Sequence, residues 1–153
     1  ETRMDVHVNA YLPAEYVTGD RQRLEVYKRI ASITTAAQRD DVEEELVDRF
    51  GDEPLCVANL VAVAYLKAMC EKLGIDRVNQ ADGRIDMRFA LNAQVDGQKL
   101  FTALNGFDKR LTLNAALPVT LTLKDPTLNR EDLLMLCVKV MERLLDRMDL
   151  SAA

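Results

Sequence analysis

The sequence predicts an α+β fold, an antiparallel sheet of about four or five strands packed with about five helices. Two observations carry this. Residues of about 20–74 place their apolar side chains at helical spacing, whereas residues of about 75–150 alternate apolar and polar in two separate pairs of runs before a last helical pattern. A third observation sets the scale: 153 residues, 48% hydrophobic and 29% charged, suffice for one sizeable core and are too apolar for a disordered chain. No Gly/Ser/Pro-rich linker falls near residue 74, so residues 1–153 are expected to form one domain with a helical first half and a mixed second half.

Met4, Val6, Val8 and Ala10 alternate with Asp5, His7 and Asn9, as in a strand with one buried face. Leu12-Pro13 and Gly19-Asp20 interrupt the pattern, and Asp20 is placed to cap a helix with Leu24, Tyr27, Ile30 and Ala31 on one side. A second helix runs from about Asp40 to Gly51, a residue suited to the left-handed conformation of a helix end. Pro54 opens a third, apolar around most of its girth with Asn59, Lys67 and Glu71 as a polar strip, and Gly74 ends it. Ile75 to Gln80 and Ile85 to Leu91 read as a hairpin turning at Asp82-Gly83. Gly97 to Leu104 reads as a short helix burying Leu100, Phe101 and Leu104. Leu111 to Ala115 and Val119 to Leu123 form a second hairpin around Ala116-Leu117-Pro118. Asn129, with Asp132 three residues on, starts a final helix that buries Leu133, Cys137, Val140, Met141, Leu144 and Met148.

Several chemistries are excluded by residue content. The six glycines are scattered without the spacing that lets backbone N–H groups converge on a phosphate, so no nucleotide loop is expected. His7 is the only histidine and lies on the polar side of its strand, which removes the usual nucleophile–base pairs and any histidine metal cluster. The three cysteines, Cys56, Cys70 and Cys137, are far apart in apolar helical patterns and read as buried reduced thiols of a cytoplasmic protein. The apolar stretch Leu55 to Leu73 is interrupted by Asn59, Lys67, Glu71 and Lys72, unlike a membrane span. The reading is of a non-catalytic domain with no cofactor. A chain that opens on Glu1 without methionine also reads as a piece of a longer protein.

The most informative segment is acidic. Net charge is −5, yet residues 39–53 contain eight acids and two arginines, so the remainder is nearly balanced. On a helix Asp41, Glu44, Glu45 and Asp48 share one face, with Val42, Leu46 and Phe50 opposite. Clustered carboxylates repel one another, and the arginines of a partner would relieve that repulsion through bidentate pairs. The alternative is a solvated face partly neutralised by Arg39 and Arg49. Arg21, Arg23, Lys28 and Arg29 on the preceding helix either meet these acids within the fold or touch a nucleic acid or RNA polymerase.

Leu12-Pro13, Tyr16, Arg23-Leu24, Tyr27-Lys28-Arg29-Ile30-Ala31, Glu45-Leu46-Val47-Asp48-Arg49-Phe50-Gly51, Pro54, Val57, Asn59-Leu60 and Leu73-Gly74-Ile75 resemble, in order and spacing, the C-terminal domain of bacterial transcription-repair coupling factors. The resemblance is close over about residues 4–75 and looser beyond. It implies a parent that is a cytoplasmic ATP-dependent DNA translocase acting on stalled RNA polymerase and recruiting excision repair through UvrA, with the motor motifs outside this chain. It also implies that this domain packs on the UvrB-like module of the same polypeptide and masks its UvrA-binding surface. Within the family's E-L-x-D-R-F-G motif the contacting acids correspond to Glu45 and Asp48, with Asp41 and Glu44 beside them. Arg49 and Phe50 are expected to position the helix end. Asp52-Glu53 is more acidic than the family pattern and is expected to extend the acidic surface.

Overall fold

The structure, a computed structural model, describes residues 1–151. Its elements follow the order β1 (Arg3–Asp5), α1 (Asp20–Ala31), α2 (Ala36–Phe50), α3 (Leu55–Leu73), β2 (Ile75–Ala81), β3 (Arg84–Phe89), α4 (Gly97–Leu104), β4 (Leu111–Asn114), β5 (Thr120–Lys124) and α5 (Arg130–Arg147). The five strands form one sheet in the order β1-β2-β3-β5-β4. Both expected hairpins are present, and β3 joins them through antiparallel pairing with β5. The sheet is mixed rather than wholly antiparallel, because β1 pairs with β2 in parallel. The chain leaves β1, passes through three helices and re-enters beside it in the same direction, the kind of long crossover parallel pairing requires.

That first strand is also shorter than its alternation predicts. Only Arg3–Asp5 joins the ladder, and further along the buried Gln80 side chain substitutes for a backbone partner. Its Oε1 accepts from the His7 N–H at 2.9 Å while its Nε2 donates to the Arg130 carbonyl at 3.0 Å. His7 is exposed, as expected.

The helices of the first half depart from the sequence reading in instructive ways. Gly19, not Asp20, is the N-cap of α1, and Asp20 pairs with Arg23 inside the first turn. The buried face is Val26 and Ile30, leaving Leu24 55% and Tyr27 37% exposed and Ala31 at the surface. Val26 and Ile30 are four residues apart and stack on one side, so a narrow stripe suffices to seat α1 among its helical neighbours. Tyr27 still ties down the preceding loop, its hydroxyl accepting from the Leu12 N–H at 2.9 Å.

α2 starts four residues before the expected Asp40. Thr35 caps it by accepting from Gln38 N–H at 3.2 Å, and the Gln38 side chain returns to Thr34 N–H at 2.7 Å. This is a Thr-x-x-Gln capping pattern that the apolar periodicity had overshadowed. Gly51 closes α2 with φ 88° and ψ −169°, an extended conformation of positive φ that only glycine adopts readily, rather than the left-handed helical one. Pro54 is the N-cap of α3 and not its first helical residue.

α3 is buried on most sides and forms the axis of the core with α5, as its composition predicts. Asn59 does not belong to a surface strip: it is 1% exposed and its Nδ2 donates to the Asn9 carbonyl at 3.0 Å, pinning the segment after β1 to α3. Gly74 ends α3 in the left-handed conformation. In α4 the buried pair is Leu100 and Ala103, with Leu104 half-buried and Phe101 72% exposed against expectation. An eight-residue helix contributes one narrow apolar stripe to the core, and Phe101 lies off it. α5 is capped by Asn129, which accepts from Asp132 N–H at 2.8 Å, and it buries every residue predicted for it. Cys70 and Cys137 are buried and free, but Cys56 is only half-buried. No helix among the described residues is long and apolar enough to cross a membrane.

Candidate partner-docking surface

Helical periodicity gives α2 two faces. Val42 and Leu46 are buried against the rest of the domain, and Phe50 packs half-buried at the end of the same stripe. Opposite them Asp41, Glu44 and Asp48 are exposed, and none of the three forms an ion pair among the described residues. Glu45 differs. It sits on the flank toward α1, its side chain 38% exposed, with Arg29 at 3.5 Å and Arg49 at 3.2 Å. The predicted acidic face therefore consists of three free carboxylates and one already engaged between two guanidinium groups.

The end of α2 is rigidly built. Tyr16 donates its hydroxyl hydrogen toward the Gly51 carbonyl at 2.8 Å, and the Leu46 carbonyl lies 3.3 Å away. The Tyr16 and Phe50 rings meet at 5.7 Å in a tilted arrangement, and the Arg49 guanidinium covers Phe50 at 4.8 Å. Arg49 and Phe50 thus fix the helix end, in keeping with the role the motif implied for them.

On the opposite flank Glu53 folds against Glu43. Glu53 Oε2 is buried without an N–H donor, and burial, followed by the hydrogen bond and charge of Glu43, raises its carboxyl to about 8. This corrects the expectation for Asp52-Glu53. Asp52 is exposed, but with its carboxyl raised Glu53 shares a proton with Glu43 near neutrality, and the pair adds less charge to the surface than two free carboxylates would. Burial also pushes the Tyr16 phenol up, with the nearby Glu53 and Asp52 adding to the effect.

Of the basic residues of α1, Arg21 and Lys28 are exposed without an ion pair among the described residues, whereas the other two are engaged within the fold. Arg23 pairs with Asp20 and donates to the Val17 carbonyl at 3.1 Å, and Arg29 is spent on Glu45. Arg39 turns away from the acidic face, pairing with Asp40 at 3.1 Å and Glu142 at 3.4 Å and lying 4.7 Å over the Tyr65 ring. Elsewhere Arg110 clamps Asp108 and Asp125 across the loops around β4 and β5, holding Asp108 at about 2. Burial pushes the Cys137 thiol to about 12 and raises the Cys70 thiol as well. Among the described residues no group of three or more His, Cys, Asp and Glu side chains is placed to hold a metal ion.

Fold and surface together define a mixed α+β domain whose principal polar feature is a cleanly presented acidic helix. The TRCF domain family matches residues 6–100. A transcription-repair-coupling factor of Staphylococcus aureus (strain USA300) is 30% identical over 151 residues, covering 95% of this chain and 13% of that protein. A transcription-repair-coupling factor of Bacillus subtilis (strain 168) is 30% identical over 115 residues, covering 74% of this chain and 10% of that protein. The crystal structure of a C-terminal domain of transcription-repair coupling factor superposes with a TM-score of 0.82 at 26% identity, covering 97% of this chain and 94% of that one. The chain belongs to the TRCF domain family and is homologous to the C-terminal domain of transcription-repair coupling factors. It spans about an eighth of the length of the curated relatives it matches.

Proposed function

We propose that this chain is a regulatory domain that docks its α2 acidic face on the UvrB-like module of its parent polypeptide and masks the UvrA-binding surface there. The observation that carries the reading is the state of the four acids: Asp41, Glu44 and Asp48 stand exposed and without cations, while Arg29 and Arg49 hold Glu45 at the edge of the same face. A surface that leaves carboxylates uncompensated on one side of a rigidly ended helix is suited to arginines supplied from outside. Asp48 is free to take one directly. Glu45 must share or exchange its guanidinium neighbours, so its contribution is smaller than its place in the motif suggests. Residues 1–153 act in this reading as one unit in the cytoplasm, without catalysis, and contacts with RNA polymerase and DNA belong to the rest of the parent.

Close interfacial charge pairs are worth roughly 1.5–7 kcal/mol in favourable cases. At the low end, losing about 2 kcal/mol of docking energy raises the open population about 30-fold. The test is UvrA binding to the full-length parent carrying Glu45→Ala and Asp48→Ala, beside calorimetry of this domain with the UvrB-like module at low and high salt. Tighter UvrA binding and loss of the salt-sensitive titration are expected. Unchanged UvrA affinity in a correctly folded double variant rejects the masking role.

A further inference from the structure

The sheet has one covered and one bare face. α3 and α5 pack on the covered face through β1, β2 and β3. On the bare face the register sets Arg3 opposite Arg77 and Arg77 opposite Arg88, so three arginines stand abreast across three strands. At about 4.8 Å per strand this row is roughly 10 Å long. Like charges directly opposite one another destabilise a sheet. Asp5, 3.3 Å from both Arg3 and Arg77, offsets part of that cost, as does Asp76 at 3.3 Å from Arg88. The next row on this face holds Asp86 opposite Thr122, and the one after it Arg84 opposite Lys124, with Asp86 held by Arg84 at 2.7 Å and Thr122 at 2.6 Å. Five cations therefore share this face with three carboxylates. Arg77 Nε is buried with no acceptor, and a shallow depression of about 310 Å³ opens between Arg77, Arg84 and Arg88.

Surface chemistry and spacing choose the occupant. The depression has no aromatic side chain on which a base could stack, which disfavours nucleic acid. Carboxylates on one face of an extended segment recur every ~6.8 Å, too widely for a row stepped at about 4.8 Å. Helical positions i, i+3 and i+7 step by about 4.5 and 6 Å, a span of about 10.5 Å. Asp41, Glu44 and Asp48 of α2 have this spacing, exposed and unpaired.

We propose that α2 of one copy of this chain lies across the bare sheet face of a second copy, with Asp41, Glu44 and Asp48 set against the row Arg3, Arg77 and Arg88. The two surfaces differ, so the contact is head-to-tail and an open chain of copies always keeps one free sheet at one end and one free helix at the other. Association accordingly proceeds past the dimer. The contact does not rest on the intramolecular docking proposed above. Both use the same acids, so a copy whose α2 is covered by its own parent can receive a neighbour but cannot donate.

Sedimentation equilibrium of this chain up to about 1 mM tests the contact at about 20 mM and about 300 mM salt. Half-exposed ion pairs are individually weak, so a dissociation constant on the order of 1 mM is expected at low salt and no association at high salt. R77E/R88E removes the sheet half and E44K/D48K the helix half, and each variant alone is expected to be monomeric. Mixed in equal amounts they regain association, because each supplies the intact half the other lacks, and that recovery also shows both are folded. R77Q/R88Q, which keeps the side-chain stems, replaces the charge reversal should circular dichroism show it unfolded. A wild-type chain that stays monomeric throughout, association that either variant retains alone, or folded variants that fail to combine on mixing overturns the proposal.

Discussion

Replacing Glu53 by Gln tests the carboxyl pair at the end of α2. The folded-state value of about 8 lies above the ordinary 4.5, so between these pH values the folded chain holds a proton that the unfolded chain has released. Stability contributed by this group is therefore full below about pH 4.5, falls as pH rises toward 8, and is flat above. Fully expressed, that interval corresponds to nearly 5 kcal/mol at about 1.36 kcal/mol per pH unit. Glu53 is only half-buried, and solvent screening reduces the expected loss to about 1–2 kcal/mol. Gln keeps the shape and a hydrogen-bond donor for Glu43 while removing the titration. Urea unfolding from pH 5 to 9 should therefore show the wild-type chain weakening by that amount relative to E53Q, with E53Q the more stable above pH 8. Carbon-detected NMR titration of the Glu53 carboxyl gives the independent reading. Parallel stability profiles, or a Glu53 carboxyl that titrates near 4.5, refute the shared proton.

Two further perturbations follow from the same packing. Gly74→Ala forces an L side chain to φ 82° and drives its Cβ to 2.7 Å from the Ala93 Cβ, so a loss of about 2 kcal/mol or more is expected in urea unfolding, with Ala93→Gly recovering only the steric part. Thiol labelling under native conditions should modify the half-exposed Cys56, whereas the buried Cys70 and Cys137, whose thiols are pushed up, react only as the chain unfolds; three equally fast phases contradict the core assignment.

Local chemistry explains which elements were readable from the sequence. The hairpins β2–β3 and β4–β5 follow from strict alternation around short turns, and α5 from an Asn129 cap followed by a broad apolar face, all within a few residues of chain. The exposed face of α1 was misassigned because Leu24, Tyr27, Ile30 and Ala31 satisfy helical spacing as well as Val26 and Ile30 do. Which stripe is buried depends on where α2 and α3 lie. Asn59 was assigned to the surface for a similar reason, since its partner is a carbonyl 50 residues away. At the candidate surface, the separation of Asp41, Glu44 and Asp48 from Val42 and Leu46 was legible from α2 alone. The capture of Glu45 by Arg29 and the folding of Glu53 onto Glu43 were not, because each depends on how a second segment returns to the helix.

The parallel strand β1 sets an order on the motions of the domain. It reaches β2 only after roughly 70 intervening residues have been brought into place, so its pairing closes a large loop for three residues of ladder. The two hairpins, by contrast, close locally. Their amides are expected to be among the slowest to exchange with solvent, and those at the β1 edge to exchange through a shallower opening that leaves the rest of the sheet intact. Thr2, whose hydroxyl donates to the Ile75 carbonyl at 2.5 Å, and Asn59, which grips the Asn9 carbonyl, are the two latches on that opening. Their release would expose the β2 edge, a row of backbone groups that β1 covers in the resting sheet.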